Sequence, residues 1–160
     1  MTGSRGAGTV QDPIRRTAAR VLLIDAEGRV LLLHGTDPGR PGVRYWFTIG
    51  GGLDEGESAV QGAARELFEE TGLRVSPSAF GAPVWQQVAE FPFDGRWYRQ
   101  EQEFYVLRVG SVEIRMDGYD EVERRSIDGY RWWSVADLTD TRERFYPDEL
   151  VDLLRGILET

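Results

Sequence analysis

The 160-residue sequence predicts a single α/β (α+β) domain, on three observations. Short β-like runs flank a central segment, that segment holds a capped helix, and an amphipathic helix closes the chain. Residues 1–13 are small and polar and are expected to form a flexible segment ahead of the domain at 14–160. A hydrophobic content of 41%, with five Trp and seven Phe, can fill one core, and the length leaves no room for a second full domain.

The elements follow in chain order. Residues 19–25 and 30–34 are short apolar runs around a hairpin turn at 26–29. Pro and Gly content makes 37–42 a loop, and 44–49 reads as a strand leading into Gly50-Gly51-Gly52. Ser58 is placed to cap a helix over Ala59–Thr71, with Gly72 as its stop. Residues 84–93 and 97–109 form a long hairpin around Asp94-Gly95-Arg96, and 130–135 is a further strand. Leu150, Val151, Leu153, Leu154, Ile157 and Leu158 recur at helical spacing and predict an amphipathic helix over 147–158.

Composition removes several functions. A net charge of −8 argues against a binder of duplex nucleic acid, which presents a basic face to phosphates. A small anionic substrate reached through a metal remains. The sequence has no cysteine, so it offers no disulfide framework, thiolate nucleophile or Cys-based zinc site, which fits a cytoplasmic location. The N-terminus lacks the apolar centre of a signal peptide, and no apolar run approaches the roughly 18 residues of a membrane span.

The chemistry concentrates between Gly51 and Leu73. Glu57 follows Gly51, and then comes the run Arg65-Glu66-Leu67-Phe68-Glu69-Glu70-Thr71-Gly72-Leu73. Glu66, Glu69 and Glu70 stand at i, i+3 and i+4, offsets that return to one helix face at about 3.6 residues per turn. Like charges at that spacing repel, so the arrangement calls for a cation, and hard divalent metals suit carboxylate oxygens. Glu-Glu pairs also occur on solvated helix faces with no further role. Here the Gly-dense loop just upstream, which lets backbone approach a ligand closely, argues for a site.

Gly51, Glu57, Arg65, Glu66, Glu69, Glu70 and Gly72 stand at fixed offsets that resemble the Nudix box, a seven-position match expected by chance about once in 10⁸ windows at roughly 7% usage per residue. The layout over about residues 16–158 is similar to that of the Nudix hydrolase family. The resemblance implies an α/β/α sandwich with a mixed β-sheet. It also implies an enzyme that hydrolyses a diphosphate linked to a moiety X, the other part being a nucleoside, with Mg²⁺ or Mn²⁺. By the same mapping Glu66 and Glu70 are metal ligands, Glu69 binds metal or orients the attacking water, and the Gly50 carbonyl completes a metal shell. Arg65 braces the carboxylates. Glu57 steadies the loop and touches a metal through water, or else is a first-turn charge favoured by the helix dipole. Gly50 stands where the family commonly has proline, and no acidic position is lost by it. The marks of NADH pyrophosphatases, of many ADP-ribose hydrolases and of coenzyme A hydrolases are missing, so X stays open.

A further carboxylate, as ligand or general base, is expected from outside the helix. Glu101, Glu103, Asp120, Glu121 and Glu123 are the candidates, with Glu103 and Glu121 favoured over the alternative of solvent-facing charges. Arg44, Trp46 and Arg99 are the candidates to hold substrate, with Arg40 and Arg96 as further phosphate-gripping choices. Trp85, Phe91, Trp97 and Tyr98 could stack on a nucleobase or serve as core or dimer contacts, and Trp132-Trp133 reads as packing. His34 is the single histidine and builds no triad. Exposed aromatics and the family's habits point to a homodimer. Two other readings stand beside hydrolysis: a Nudix-fold ligand sensor without turnover, and the isoprenoid-diphosphate isomerase branch, which the lack of cysteine disfavours.

Overall fold

One mixed sheet joins the seven strands of the computed structural model, which describes residues 12–160. The flexible segment expected at 1–13 lies outside the described residues except for Asp12 and Pro13. The chain runs β1 (Ile14–Ile24), β2 (Val30–Asp37), β3 (Arg40–Gly52), α1 (Ala59–Thr71) and a 3₁₀ turn at Pro77–Ala79. The hairpin β4 (Trp85–Phe93) and β5 (Arg96–Arg108) follows, then α2 (Glu121–Ser126), β6 (Ile127–Trp133), α3 (Val135–Asp140), β7 (Phe145–Tyr146) and α4 (Leu150–Leu158). The strand order is β4-β5-β1-β2-β3-β7, with β6 paired to β2.

Two pairings place the site. β1 and β5 are parallel and in register from Ile14↔Tyr98 to Ile24↔Arg108. β3 changes partner along its length: Arg44 to Thr48 pair antiparallel with β2, whereas Ile49 to Gly52 pair with Val21 to Ala18 of β1. That switch brings the glycine run onto β1, directly ahead of α1.

Strand alternation sends side chains to two faces, and both are covered. Ala19, Val21, Leu23, Leu31, Leu33 and Ile49 pack under Ala63 and Leu67 of α1. Leu22, Ile24, Val30, Leu32, Phe104 and Trp133 pack on Leu138 of α3 and on Leu150 and Leu154 of α4. This accounts for the unbroken apolar runs of β1 and β2, and it confirms the expected α/β/α layering. No helix among the described residues is long and apolar enough to cross a membrane.

Several boundaries differ from the sequence-based expectation for physical reasons. β1 begins at Ile14 because its parallel ladder with β5 extends through residues 14–17, whose exposed side chains leave no apolar signal. The expected loop at 37–42 contracts, since β3 already starts at Arg40. Ser134 ends the last long strand by capping α3, its Oγ accepting from the Asp137 N–H at 3.0 Å. The α4 helix begins at Leu150 rather than Pro147.

Candidate active site

α1 is built by local signals. Ser58 and Gln61 exchange side-chain and backbone hydrogen bonds in a capping box, and Gly72 ends the helix in the left-handed conformation with its N–H donating to the Phe68 carbonyl. The helix therefore starts and stops where its sequence says, and its phase is fixed. Glu66 and Glu70 consequently point inward and are 7% and 2% exposed, while Glu69 is half-buried beside them.

The glycine loop is shaped around those carboxylates. The Gly50 N–H donates to Glu70 Oε1 at 2.8 Å. Gly50 has φ +138°, and a Cβ there would lie 2.1 Å from the Ala19 carbonyl oxygen, so neither proline nor any other side chain fits. A Cβ at Gly51 would lie 2.8 Å from Glu66 Oε1. The two glycines let backbone and carboxylates meet without a side chain between them.

Arg65 ties the acidic residues together. Its Nε and Nη2 donate to the two Glu57 oxygens at 2.9 Å, and Nη1 reaches Glu66 and Glu69 at 3.0 Å. Nη2 also donates to the Gly52 carbonyl at 3.0 Å, which joins helix to loop. These bonds, those from Glu57 first, raise the Arg65 pKa, and the same contact lowers that of Glu57. Glu57 further accepts from the Asp54 N–H at 2.9 Å, which ties it to the loop.

One arginine does not neutralise the cluster. Burial pushes the Glu66 carboxyl up to about 7, with Glu69 and Glu123 adding repulsion that Arg65 partly offsets. Burial, then the Glu66 charge, pushes Glu70 well above the ordinary carboxylate range. Glu123 comes from α2, where it shares a capping box with Asp120. One carboxylate oxygen from each of Glu66, Glu69 and Glu123 lies within 4.8 Å of the others. Three converging hard oxygens short of positive charge fit Mg²⁺ or Mn²⁺. The segment carrying Glu123 is docked on the end of α1, because the Tyr119 hydroxyl donates to the Glu70 carbonyl at 3.1 Å and the Arg115 N–H to that of Thr71 at 2.7 Å.

Other expected residues fall elsewhere. Glu121 is the exposed first residue of α2, and two positions along a helix do not share a face, so Glu123 takes the place assigned to it. Glu103 pairs in register with Ala19, on the sheet face away from the cleft, and bonds to Gln86 and to the Tyr105 hydroxyl at 2.9 Å. Arg44 pairs with Asp128 at 3.1 Å, and Arg99 with Glu90 at 2.8 Å. Trp46 donates to Glu143 and packs edge-on against Trp133. None of Glu103, Arg44, Trp46 and Arg99 lines the cleft.

That cleft holds about 610 Å³ and opens beside the acidic cluster. Glu66, Glu70, Glu123 and the glycine loop form one end, and Tyr45, Phe91, Phe93 and Tyr146 contribute aromatic walls. Arg16 and Arg20 of β1 line it as well, and neither was singled out from the sequence. Arg20 Nη1 donates to the Thr48 and Gly50 carbonyls at 3.2 and 3.1 Å. Burial lowers the pKa of both guanidinium groups. The available signal was a pair of arginines at i and i+4 on a strand whose next same-face residues, Leu22 and Ile24, are apolar.

Comparison with known proteins agrees with this geometry. The NUDIX domain family matches residues 14–154. An RNA pyrophosphohydrolase of Mesorhizobium japonicum is 30% identical over 137 residues, spanning 78% of this chain and 79% of the relative. One of Rhizobium meliloti is 29% identical over 142 residues, 81% and 85% of the two chains. Among solved structures, a MutT protein from Methanosarcina mazei superposes with a TM-score of 0.68 at 18% identity, covering 94% of this chain and 97% of the other. The Nudix domain of Shewanella oneidensis NrtR, complexed with ADP ribose, gives 0.63 at 18% identity over 95% and 92%. The structural likenesses establish the fold, and the family match together with the sequence relatives establishes descent: the chain belongs to the Nudix hydrolase family.

Proposed function

We propose that the protein is a metal-dependent pyrophosphohydrolase that cleaves the diphosphate of a nucleoside diphosphate linked to another moiety. The observation that carries this reading is the convergence of Glu66, Glu69 and Glu123, with buried Glu70 tied to the Gly50 backbone, at the head of a cleft large enough for a nucleotide. Glu66, Glu70, Glu69 and Glu123 would hold Mg²⁺ or Mn²⁺ with the Gly50 carbonyl, and Glu57 would stand behind them through the loop. The metal supplies charge neutralisation of the diphosphate oxygens and a lowered pKa for bound water. Glu69 or Glu123 accepts the proton of the attacking water, whose oxygen bonds to phosphorus as the P–O–P bridge breaks and the second phosphate leaves. Arg65 keeps the carboxylates in place without contacting substrate. A cytoplasmic location and a homodimer complete the reading, supported by the cysteine-free sequence and by exposed Trp97 and Val88 on the outer hairpin.

The test is product release from a substrate panel with Mg²⁺ or Mn²⁺ and an EDTA control. Relatives named RNA pyrophosphohydrolase and a neighbour complexed with ADP ribose put RNA carrying a terminal pyrophosphate and ADP-ribose on that panel. Nucleoside triphosphates, dinucleoside polyphosphates, nucleotide sugars and NADH complete it. Metal-dependent cleavage of one class supports the hydrolase, whereas ligand-induced thermal stabilisation with no cleavage supports a sensor.

A further inference from the structure

Asp37 is a buried carboxylate outside the acidic cluster. It ends β2, faces Arg40 across the two-residue turn Pro38-Gly39, and is 1% exposed. Its Oδ1 accepts from the Gly39 N–H at 2.8 Å and its Oδ2 from Arg40 Nε at 3.0 Å, bonds that stay inside the turn. Oδ1 also accepts at 2.7 Å from the N–H of Asp94, which stands 57 positions away in the turn of the β4–β5 hairpin.

The second turn offers that donor for a local reason. Phe93 and Arg96 close a two-residue loop in which Asp94 has φ +52° and Gly95 φ +78°, the left-handed pair of a tight hairpin. In such a turn the N–H of the first loop residue has no ladder partner and is ordinarily left to water. Here it meets the Asp37 carboxylate. The tips are packed as well as bonded, since a Cβ at Gly39 would lie 2.7 Å from the Gly95 nitrogen and 3.2 Å from Asp94 Cα. Burial disfavours the Asp37 charge, but the N–H groups of Asp94 and Gly39 and the Arg40 guanidinium outweigh it and hold the carboxyl below its ordinary range.

Asp25 shows the same chemistry serving a turn alone. Its carboxylate accepts from the Glu27 N–H at 3.0 Å, the Arg29 N–H at 2.8 Å and Arg29 Nε at 2.8 Å, all within the β1–β2 turn. Asp37 differs in joining two hairpins, and each hairpin is a wall of the cleft. Thr36, Arg40 and Val43 flank one tip, and Phe91, Pro92 and Phe93 lead into the other. From Arg40 the first wall continues along β3 to Gly50–Gly52, beside Glu66 and Glu70. The cleft is therefore bounded by carboxylates at one end and by the joined tips at the other.

We propose that Asp37 latches the two hairpin tips across the far end of the cleft and thereby limits the length of substrate that the site accepts. The latch deepens the hydrolase reading and rests on it for one point: the diphosphate lies at the carboxylate end, so the group it carries extends toward the tips. A cleft of about 610 Å³ bounded at both ends is on the scale of one small ligand. The group on that side is accordingly a single nucleoside, and a nucleotide followed by further nucleotides is turned away. Asp37 acts through the hairpins as a positioning residue and does not touch substrate.

The test compares a mononucleotide with a short RNA oligonucleotide carrying the same terminal pyrophosphate, by kcat and KM with Mg²⁺ or Mn²⁺. Wild type is expected to favour the mononucleotide about 10-fold or more in kcat/KM. Asp37→Ala removes the acceptor, and Gly39→Ala crowds the Gly95 backbone, so the two part the tips by different routes and one serves if the other fails to fold. Each should narrow the preference several-fold by lowering the RNA KM, with kcat on the mononucleotide near wild type. Asp37→Asn keeps an oxygen for the Asp94 N–H and should keep most of the preference. Asp25→Ala removes a turn carboxylate away from the cleft and should lower stability without moving the ratio. Amide hydrogen exchange at Asp94 should quicken in Asp37→Ala, which reads the latch without turnover. Equal handling of both substrates by wild type, or an unmoved ratio in the folded variants, overturns the latch and leaves hydrolysis standing. If neither compound is cleaved, the hydrolase reading falls, and the ratio of their calorimetric affinities judges the latch by the same criterion, with no binding of either counting against it.

Discussion

Helices α1 and α4 cover opposite faces of one sheet, yet they fill their interiors in opposite ways. α4 buries Leu150 and Leu154, has no side-chain cap at Glu149, and adds only apolar contacts to its side of the core. α1 is capped at both ends and buries Ala63 and Leu67, but it also buries Glu66 and Glu70, two carboxyls whose ionised forms are penalised there. Burying apolar surface stabilises, and burying like charges costs. A helix held so firmly at its ends while carrying that cost inside is positioned for chemistry rather than for stability.

The comparison breaks first at Glu70. Glu70→Gln removes a charge that the fold opposes, so turnover should fall by about 10²-fold or more while metal-free melting temperature holds or rises. A loss of stability with unchanged turnover per folded molecule would reverse the roles of the two helices. Leu154→Ala is the mirror image: denaturant unfolding should show a loss of about 2–5 kcal/mol, with turnover of the folded fraction near wild type.

A smaller effect sharpens the electrostatic side. Glu66 has its pKa pushed up to about 7 from an ordinary 4.5, so the folded chain holds a proton that the unfolded chain has released. That contribution to stability is fully present below about pH 4.5 and is lost as pH rises through about 7. Metal-free melting temperature should fall across this window, and Mg²⁺ or Mn²⁺ should raise it more at about pH 8 than at about pH 5.5. A melting temperature that climbs through the window without metal would contradict the buried, crowded carboxyls. The smallest effect belongs to the cap: Ser58→Ala should cost about 1 kcal/mol in the same unfolding assay, because one orphan N–H of α1 loses its acceptor.

What was legible in the sequence was local. Ser58, Gly72 and the i, i+3, i+4 carboxylates gave α1 its bounds and its polar face, and the turn at Asp94-Gly95 gave the β4–β5 hairpin. What escaped was short or distant. α2 and α3 have six residues each, less than two turns, and their capping boxes at Asp120/Glu123 and Ser134/Asp137 were the signals overlooked. Recognising the first would have shown that Glu123 folds back toward the helix end while Glu121 turns to solvent. Arg16 and Arg20 are tied in the cleft by Gln100 and Gln102, residues 84 and 82 positions away that only the β1–β5 pairing brings beside them. Arg44, Trp46 and Arg99 looked suitable by residue type, but Arg44 and Trp46 found partners outside the cleft, and Arg99 is tied to the cleft residue Glu90 without lining the cleft itself.

The central claim is that the acidic face of α1 is a divalent-metal site completed by α2. A Mn²⁺ titration followed by electron paramagnetic resonance, on wild type, Glu66→Gln and Glu123→Gln at neutral pH, tests it most directly. Saturable Mn²⁺ binding by the wild type, weakened about 10-fold or more in each variant, is the predicted result. Equal Mn²⁺ binding by all three proteins, or none by the wild type, would contradict the account.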